Sequence, residues 1–144
     1  MSELATIGYE SDTQGAVIER LKAAGVEVLI DVRAVAASRR AGFSKTLLAN
    51  SLAEAGIEYV HLRQLGTPKP GREAARAGRI DEMTEIFEAH LAEPAAQVEL
   101  ARATEIAGGR KTALLCYEAD PNGCHRKIVA EHICAVLHCG IRHL

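Results

Sequence analysis

The residues best suited to chemistry lie near the carboxyl terminus, where an apolar run leads through a polar turn into a helix. The run ends at Cys116, and the triplet Cys124, His125 and Arg126 follows the turn. These three side chains at the start of a helix suit an anion, because free N–H groups and the helix dipole favour negative charge there. The same field lowers a thiol pKa, which would make Cys124 a nucleophile or a redox thiol. The alternative is a helix cap, with Arg126 in a surface ion pair.

Cys116 stands at the end of the apolar run and has two interpretations. A free cysteine there is most often inert packing. The alternative is a strand-end thiolate held by the following loop, as in phosphatases and sulfurtransferases. The loop that follows reaches Arg126 too late for that arrangement, and its carboxylates, Glu118 and Asp120, would repel an anion. A phosphatase or rhodanese-like site is therefore disfavoured.

Carboxylates follow aromatic residues at the ends of two predicted strands. Tyr9 precedes Glu10, and Tyr117 precedes Glu118. If these strands are neighbours, the two carboxylates can act as general acid and base. His61, at another strand end, either joins them or makes a structural hydrogen bond.

A basic loop follows the second predicted strand. It carries Arg33, Arg39 and Arg40 without an acidic residue, and a second basic stretch spans residues 63–79. Such arginines can hold the phosphates of a nucleotide or nucleic acid, or they form a solvated loop. Asp31, which ends the strand, could orient Arg33, bind a ribose hydroxyl or act as a base.

The elements that must position these residues alternate between strand and helix. That alternation predicts an α/β fold, a Rossmann-like three-layer sandwich with a mainly parallel sheet of about five strands. Ligands of such sheets bind beyond the carboxyl ends of the strands, where the candidate residues lie. We predict strands over 4–8, 26–30, 57–62, 112–117 and 141–144. Helices are predicted from a cap at Asp12 or Thr13 to residue 24, over 44–55, 80–92 and 94–109, and from Cys124 or His125 to Leu137. Residues 65–78 are predicted to be irregular, and Gly140 is predicted to stop the last helix.

Composition limits the classes of protein that the chain can represent. Its 144 residues suit one domain spanning 1–144, and a net charge of −2 provides no global basic field for nucleic acid. No apolar stretch approaches the roughly 20 residues that span a bilayer, and the amino terminus lacks a secretory pattern. We expect a soluble cytoplasmic protein with reduced cysteines and no membrane partner.

Metal and dinucleotide sites have weak sequence support. Six cysteine and histidine residues near the carboxyl terminus could be ligands, but no paired C-x-x-C spacing is present, and we predict no metal site. Gly8 does not begin a G-x-G-x-x-G series, so a dinucleotide site of the usual kind is unsupported. The sequence does not identify a cofactor.

Short motifs along nearly the whole chain resemble those of the DUF488 family. They are Thr6-Ile7-Gly8-Tyr9-Glu10, Asp31-Val32-Arg33, Ser38-Arg39 with Gly42-Phe43-Ser44, Tyr59-Val60-His61-Leu62 with Leu65-Gly66, and Cys116-Tyr117-Glu118 with Cys124-His125-Arg126 and His143-Leu144. The resemblance implies a Rossmann-like α/β domain in a soluble bacterial or archaeal protein. It implies no settled activity, because the family name denotes an unknown function.

Three functional hypotheses remain open. The first is an enzyme that binds a phosphate-bearing ligand, a nucleotide or nucleic acid, at the carboxyl edge of the sheet. The others are a non-catalytic nucleic-acid or nucleotide-binding regulator and a thiol redox protein, and a homodimer is compatible with each. The predicted catalytic residues are Glu10, Asp31, Glu118, Cys124 and His125, and the predicted ligand-binding residues are Tyr9, Arg33, Ser38, Arg39, His61, Cys116 and Arg126.

Overall fold

The sheet of the protein is parallel throughout, as a chain that alternates strands and helices requires. The computed structural model describes residues 3–144, in which five strands lie in the order β3-β2-β4-β1-β5. The strands are β1 (Glu3–Gly8), β2 (Val28–Asp31), β3 (Glu58–His61), β4 (Thr112–Cys116) and β5 (Gly140–His143). Every neighbouring pair is parallel. The central strands are buried on both faces, which explains their nearly continuous apolar sequences. The predicted Rossmann-like α/β fold is confirmed.

Helices cover both faces of the sheet and complete the three layers. Two lie on one face, α1 (Gln14–Ala23) and α2 (Lys45–Glu54), and pack through Val17, Leu21, Leu48 and Leu52. The other face carries α3 (Lys69–Arg76), α4 (Ile80–Leu91), α5 (Pro94–Gly109) and α6 (His125–Leu137). Short 3₁₀ helices cover Arg63–Leu65 and Pro121–Gly123. Within residues 3–144, none of the helices combines the length and apolar character needed to cross a membrane.

The predicted ends of the helices are partly correct. Thr13 caps α1, its hydroxyl accepting a hydrogen bond from the Ala16 N–H at 3.1 Å, as its residue type predicts. The prediction that Gly140 stops the last helix is wrong. The helix ends at Leu137, followed by His138 in the left-handed conformation at φ 55°, and Gly140 begins β5.

The stretch predicted to be irregular contains a helix instead. Residues 69–76 form α3, although Pro68 and Pro70 flank its start. Proline is tolerated in the first turn of a helix, where its missing N–H would have no partner within the helix. Two arginines of α3, Arg72 and Arg76, line the cavity described below.

The prediction that all four cysteines are reduced is also wrong. Cys134, near the end of α6, is joined to Cys139 by a disulfide. The left-handed turn at His138 brings the chain back so that Cys139 lies beside the last turn of the helix. The other two cysteines, Cys116 and Cys124, are free and buried.

Candidate functional site

A cavity opens at the carboxyl ends of three adjacent strands, β1, β4 and β2. It has a volume of about 670 Å³. The strands that carry Glu10 and Glu118 are direct neighbours, which was the condition for these carboxylates to lie at one edge. Eight of the predicted site residues line the cavity: Tyr9, Glu10, Arg33, Ser38, Arg39, Cys116, Glu118 and His125. The other four, Asp31, His61, Cys124 and Arg126, lie behind its wall.

Asp31 and His61 hold Arg33 in place from behind. The Asp31 carboxylate is fully buried and accepts hydrogen bonds from Arg33 Nε at 2.9 Å and Arg33 Nη2 at 2.7 Å. Tyr59 Oη donates to the same carboxylate at 2.5 Å. His61 Nε2 lies 2.8 Å from the Arg33 carbonyl oxygen and must donate, because a carbonyl only accepts. In the structure both residues therefore position Arg33, and neither lines the cavity.

Arg33 itself forms a rigid part of the cavity wall. Burial disfavours its charge, but the hydrogen bonds and attraction from Asp31 raise its pKa, so the guanidinium stays charged. Its Nη1 donates to Tyr9 Oη at 3.0 Å, and the Tyr9 ring stacks on Phe43 with 4.2 Å between ring centroids. The charge of Arg33 is thus balanced by Asp31, which leaves other groups to attract an anion.

Arg126 points into the loop that follows β4. Its guanidinium is fully buried and donates to the backbone carbonyl oxygens of Glu118 and Ala119, while Nε has no hydrogen-bond partner among residues 3–144. The sequence suggested direct anion binding for this residue. The observed contacts assign it the task of holding the Glu118 loop against the start of α6.

The same loop packs against the end of β1 without room for a side chain at Gly8. A Cβ atom there would lie 1.8 Å from the Glu118 carbonyl oxygen. The N–H groups of Tyr9 and Glu10 both donate to the Tyr117 carbonyl oxygen, and Glu10 Oε1 accepts from Ala119 N–H at 3.0 Å. Backbone contacts therefore fix the relative positions of the two carboxylate-bearing strand ends.

Two thiols, an imidazole and a carboxylate meet at the inner end of the cavity. His125 Nδ1 lies 3.8 Å from Cys116 Sγ and 3.9 Å from Cys124 Sγ. Glu118 Oε2 lies 3.5 Å from Cys116 Sγ. His125 Nε2 donates to the Val32 carbonyl oxygen at 2.7 Å, which leaves Nδ1 facing the sulfur atoms. The fold thus joins residues up to nine positions apart into one cluster.

Electrostatics make the two thiols unequal. Hydrogen bonding to Cys124, burial and the Cys124 charge raise the pKa of Cys116. Burial opposes ionisation of Cys124, but the hydrogen bond from Cys116 and the charge of His125 lower its pKa. Burial and the Cys124 charge raise the pKa of Glu118 to about 7. These shifts favour ionisation of Cys124 over ionisation of Cys116, and near neutral pH Glu118 can either give or take a proton.

Three arginines around the cavity have no carboxylate partner within residues 3–144. They are Arg39 on the loop after β2, and Arg72 and Arg76, one helical turn apart on α3. Arg72 Nη1 donates to the Thr67 carbonyl oxygen at 2.9 Å. Arg72 and Arg76 belong to the basic stretch 63–79 but were not among the residues predicted for the site. Their spacing of four residues was the available signal, and it required recognising the helix.

Comparison with protein families matches residues 13–133 to one family, described as Domain of unknown function DUF488. The chain belongs to the DUF488 family. The match covers α1 through most of α6, and therefore most of the cavity wall. Among curated proteins and solved structures, none matches the chain. Membership in DUF488 assigns no reaction, so a functional proposal depends on the site itself.

Proposed function

We propose that this DUF488 protein is an enzyme that binds a phosphate-bearing small molecule, such as a nucleotide, in the cavity. The observation that carries the proposal is the composition of the wall. Arg39, Arg72 and Arg76 stand at the cavity without carboxylate partners, and Cys116 and Glu118 lie at its inner end. Guanidinium groups match phosphate oxygens in geometry and charge, so this wall favours an anion next to reactive groups.

The shape of the site favours a small ligand over a nucleic-acid duplex. A volume of about 670 Å³ lies within the range of pockets that enclose small molecules. Apolar side chains from Ala34, Val35 and Met83 share the wall with the arginines. This combination supports a ligand with an anionic end and a less polar body.

Three groups are placed to take part in chemistry on the bound ligand. Glu118 and His125 are the candidates for proton transfer, since both line the cavity and contact the thiol pair. Cys116 is the thiol that reaches the cavity wall, whereas Cys124 lies behind it, where its sulfur accepts a hydrogen bond from the Arg126 N–H. Glu10 is a second carboxylate at the same edge, on the exposed side.

Isothermal titration calorimetry with inorganic phosphate and with nucleoside mono- and diphosphates tests this proposal. Arg72→Gln and Arg76→Gln should each weaken binding about 10-fold or more, because a hydrogen bond to a charged group contributes about 1.5–3 kcal/mol. Arg110→Gln is the matched control, since Arg110 is exposed, pairs with Glu58 at 2.8 Å and lies outside the cavity. Equal affinities for all three variants and the parent protein would contradict the proposal.

Salt dependence separates a small-molecule site from a nucleic-acid regulator. On duplex DNA, log affinity falls by about 0.9 per neutralised phosphate for each tenfold rise in salt. Tight binding of duplex DNA with a steep salt dependence would favour the regulator. Weak or absent DNA binding, together with nucleotide binding that needs Arg72 and Arg76, would favour the enzyme.

A further inference from the structure

Three side chains that are good ligands for a soft metal converge at the inner end of the cavity. The Sγ atoms of Cys116 and Cys124 and the Nδ1 atom of His125 all lie within 4.8 Å of one another. All three residues are buried. The two cysteines are not joined to each other by a disulfide.

The spacing of these donor atoms is close to that of a tetrahedral zinc site. With Zn–S distances of about 2.3 Å and Zn–N distances of about 2.0–2.1 Å, sulfur and nitrogen ligands lie about 3.6 Å apart. The observed distances from His125 Nδ1 are 3.8 Å to Cys116 and 3.9 Å to Cys124. The two sulfur atoms would need to move by about 1 Å at most to reach the roughly 3.8 Å that separates paired thiolates on zinc.

Hydrogen bonds with neighbouring groups hold two of the three donors in the orientation that a bound metal requires. His125 Nε2 donates to the Val32 carbonyl oxygen at 2.7 Å, which fixes the ring with Nδ1 directed at the sulfurs. The Arg126 N–H donates to Cys124 Sγ at 3.5 Å, which stabilises a thiolate. Cys116 and His125 both line the cavity, which provides a path for an ion to enter.

We propose that Cys116, Cys124 and His125 bind a zinc ion whose fourth position faces the cavity. Two thiolates balance the charge of Zn²⁺, and thiolate and imidazole ligands favour zinc over magnesium or calcium. A thiol must lose its proton and an imidazole nitrogen must be unprotonated before either can bind zinc, so zinc binding releases any protons that these groups hold. Three protein ligands with an open position are the pattern of catalytic zinc sites. The zinc site shares Cys116 and His125 with the proposed function, and a bound zinc ion would take over the sulfur and nitrogen atoms of these two side chains. It shares no residue with the three unpaired arginines, so anion binding and metal binding are tested separately.

Cobalt titration of the full chain, stripped of metal and reduced, tests the zinc site directly. We expect one equivalent of Co²⁺ to produce intense thiolate-to-cobalt charge-transfer absorption and tetrahedral d–d bands, and one equivalent of Zn²⁺ to abolish both. Cys124→Ser and His125→Asn should lose these bands or weaken Co²⁺ binding at least 10-fold. The double variant Cys134→Ser with Cys139→Ser is the control, because reduction also frees these two thiols, and it should retain the bands because neither residue belongs to the cluster.

Several outcomes would overturn the proposal. If the folded parent protein gives only the weak spectrum of octahedral cobalt, the proposed zinc site does not exist. This result is obtained with the parent protein alone, so it does not depend on whether the variants fold. Bands that survive in Cys124→Ser and His125→Asn would place the metal elsewhere. A Cys116–Cys124 disulfide that forms in air, in a protein that takes up no cobalt when reduced, would make the cysteines a redox pair instead. Arg72→Gln should leave the cobalt spectrum unchanged, so failure of the metal site and failure of phosphate binding are distinguishable.

Discussion

Removing the charge of Asp31 should destabilise the protein strongly, because the ion pair that it forms lies inside the fold. Asp31 is fully buried and Arg33 is 5% exposed. The carboxylate accepts hydrogen bonds from the Arg33 backbone, the Arg33 guanidinium and Tyr59. Breaking a buried pair by removing one partner costs about 3–5 kcal/mol, because the other charge stays buried without compensation. We expect Asp31→Asn to lower the free energy of unfolding by that amount in urea denaturation followed by circular dichroism.

A matched ion pair at the surface and a double-mutant cycle show whether burial of the Asp31–Arg33 pair causes the loss of stability. Asp12 pairs with Arg20, and both side chains are about one-third exposed. Asp12→Asn should therefore cost less than about 1 kcal/mol. Combining Asp31→Asn with Arg33→Met should cost less than the sum of the single changes, by about 1–3 kcal/mol. If Asp31→Asn costs no more than Asp12→Asn, the view of Asp31 as the residue that anchors Arg33 is refuted.

Two further predictions concern the loop that carries Glu118. Gly8→Ala places a Cβ atom 1.8 Å from the Glu118 carbonyl oxygen and should lower the free energy of unfolding by at least about 2 kcal/mol, whereas Gly15→Ala, with nothing within 4 Å, should cost nothing. Burial raises the pKa of Glu118 from 4.5 to about 7. Between these pH values the folded protein therefore holds a proton that the unfolded chain has lost, and the free energy of unfolding falls as pH rises through this range. In metal-free, reduced protein, the parent should lose roughly 1–3 kcal/mol relative to Glu118→Gln between about pH 5 and pH 8. Parallel pH profiles in urea denaturation would contradict this assignment.

Much of the fold could be predicted because burial on two faces leaves a clear pattern in the sequence. The nearly continuous apolar runs of β2 and β4, separated by helical stretches, fit a parallel sheet. The α3 helix was missed because Pro68 and Pro70 suggest a break, although a proline in the first turn is tolerated. The disulfide was missed because Cys134 and Cys139 are brought together by a left-handed residue that is not glycine.

The candidate site was predicted in outline but not in the roles of its residues. Parallel strands place their carboxyl ends at one edge, so Glu10 and Glu118 could be expected near each other. Spacing alone does not show which way a long side chain turns, and Arg126 turns to the loop carbonyls. The cluster of Cys116 with Cys124 and His125 depends on how the intervening loop folds back, and local sequence does not determine that path.

The most direct test of the proposed phosphate-binding site is a crystal structure of the protein soaked with inorganic phosphate or a nucleotide. We expect an anion in the cavity, contacted by the guanidinium groups of Arg39, Arg72 and Arg76, within reach of the cluster that contains Cys116 and Glu118. Under saturating ligand, a cavity filled only with water, or an anion bound only outside the cavity, would contradict the proposal.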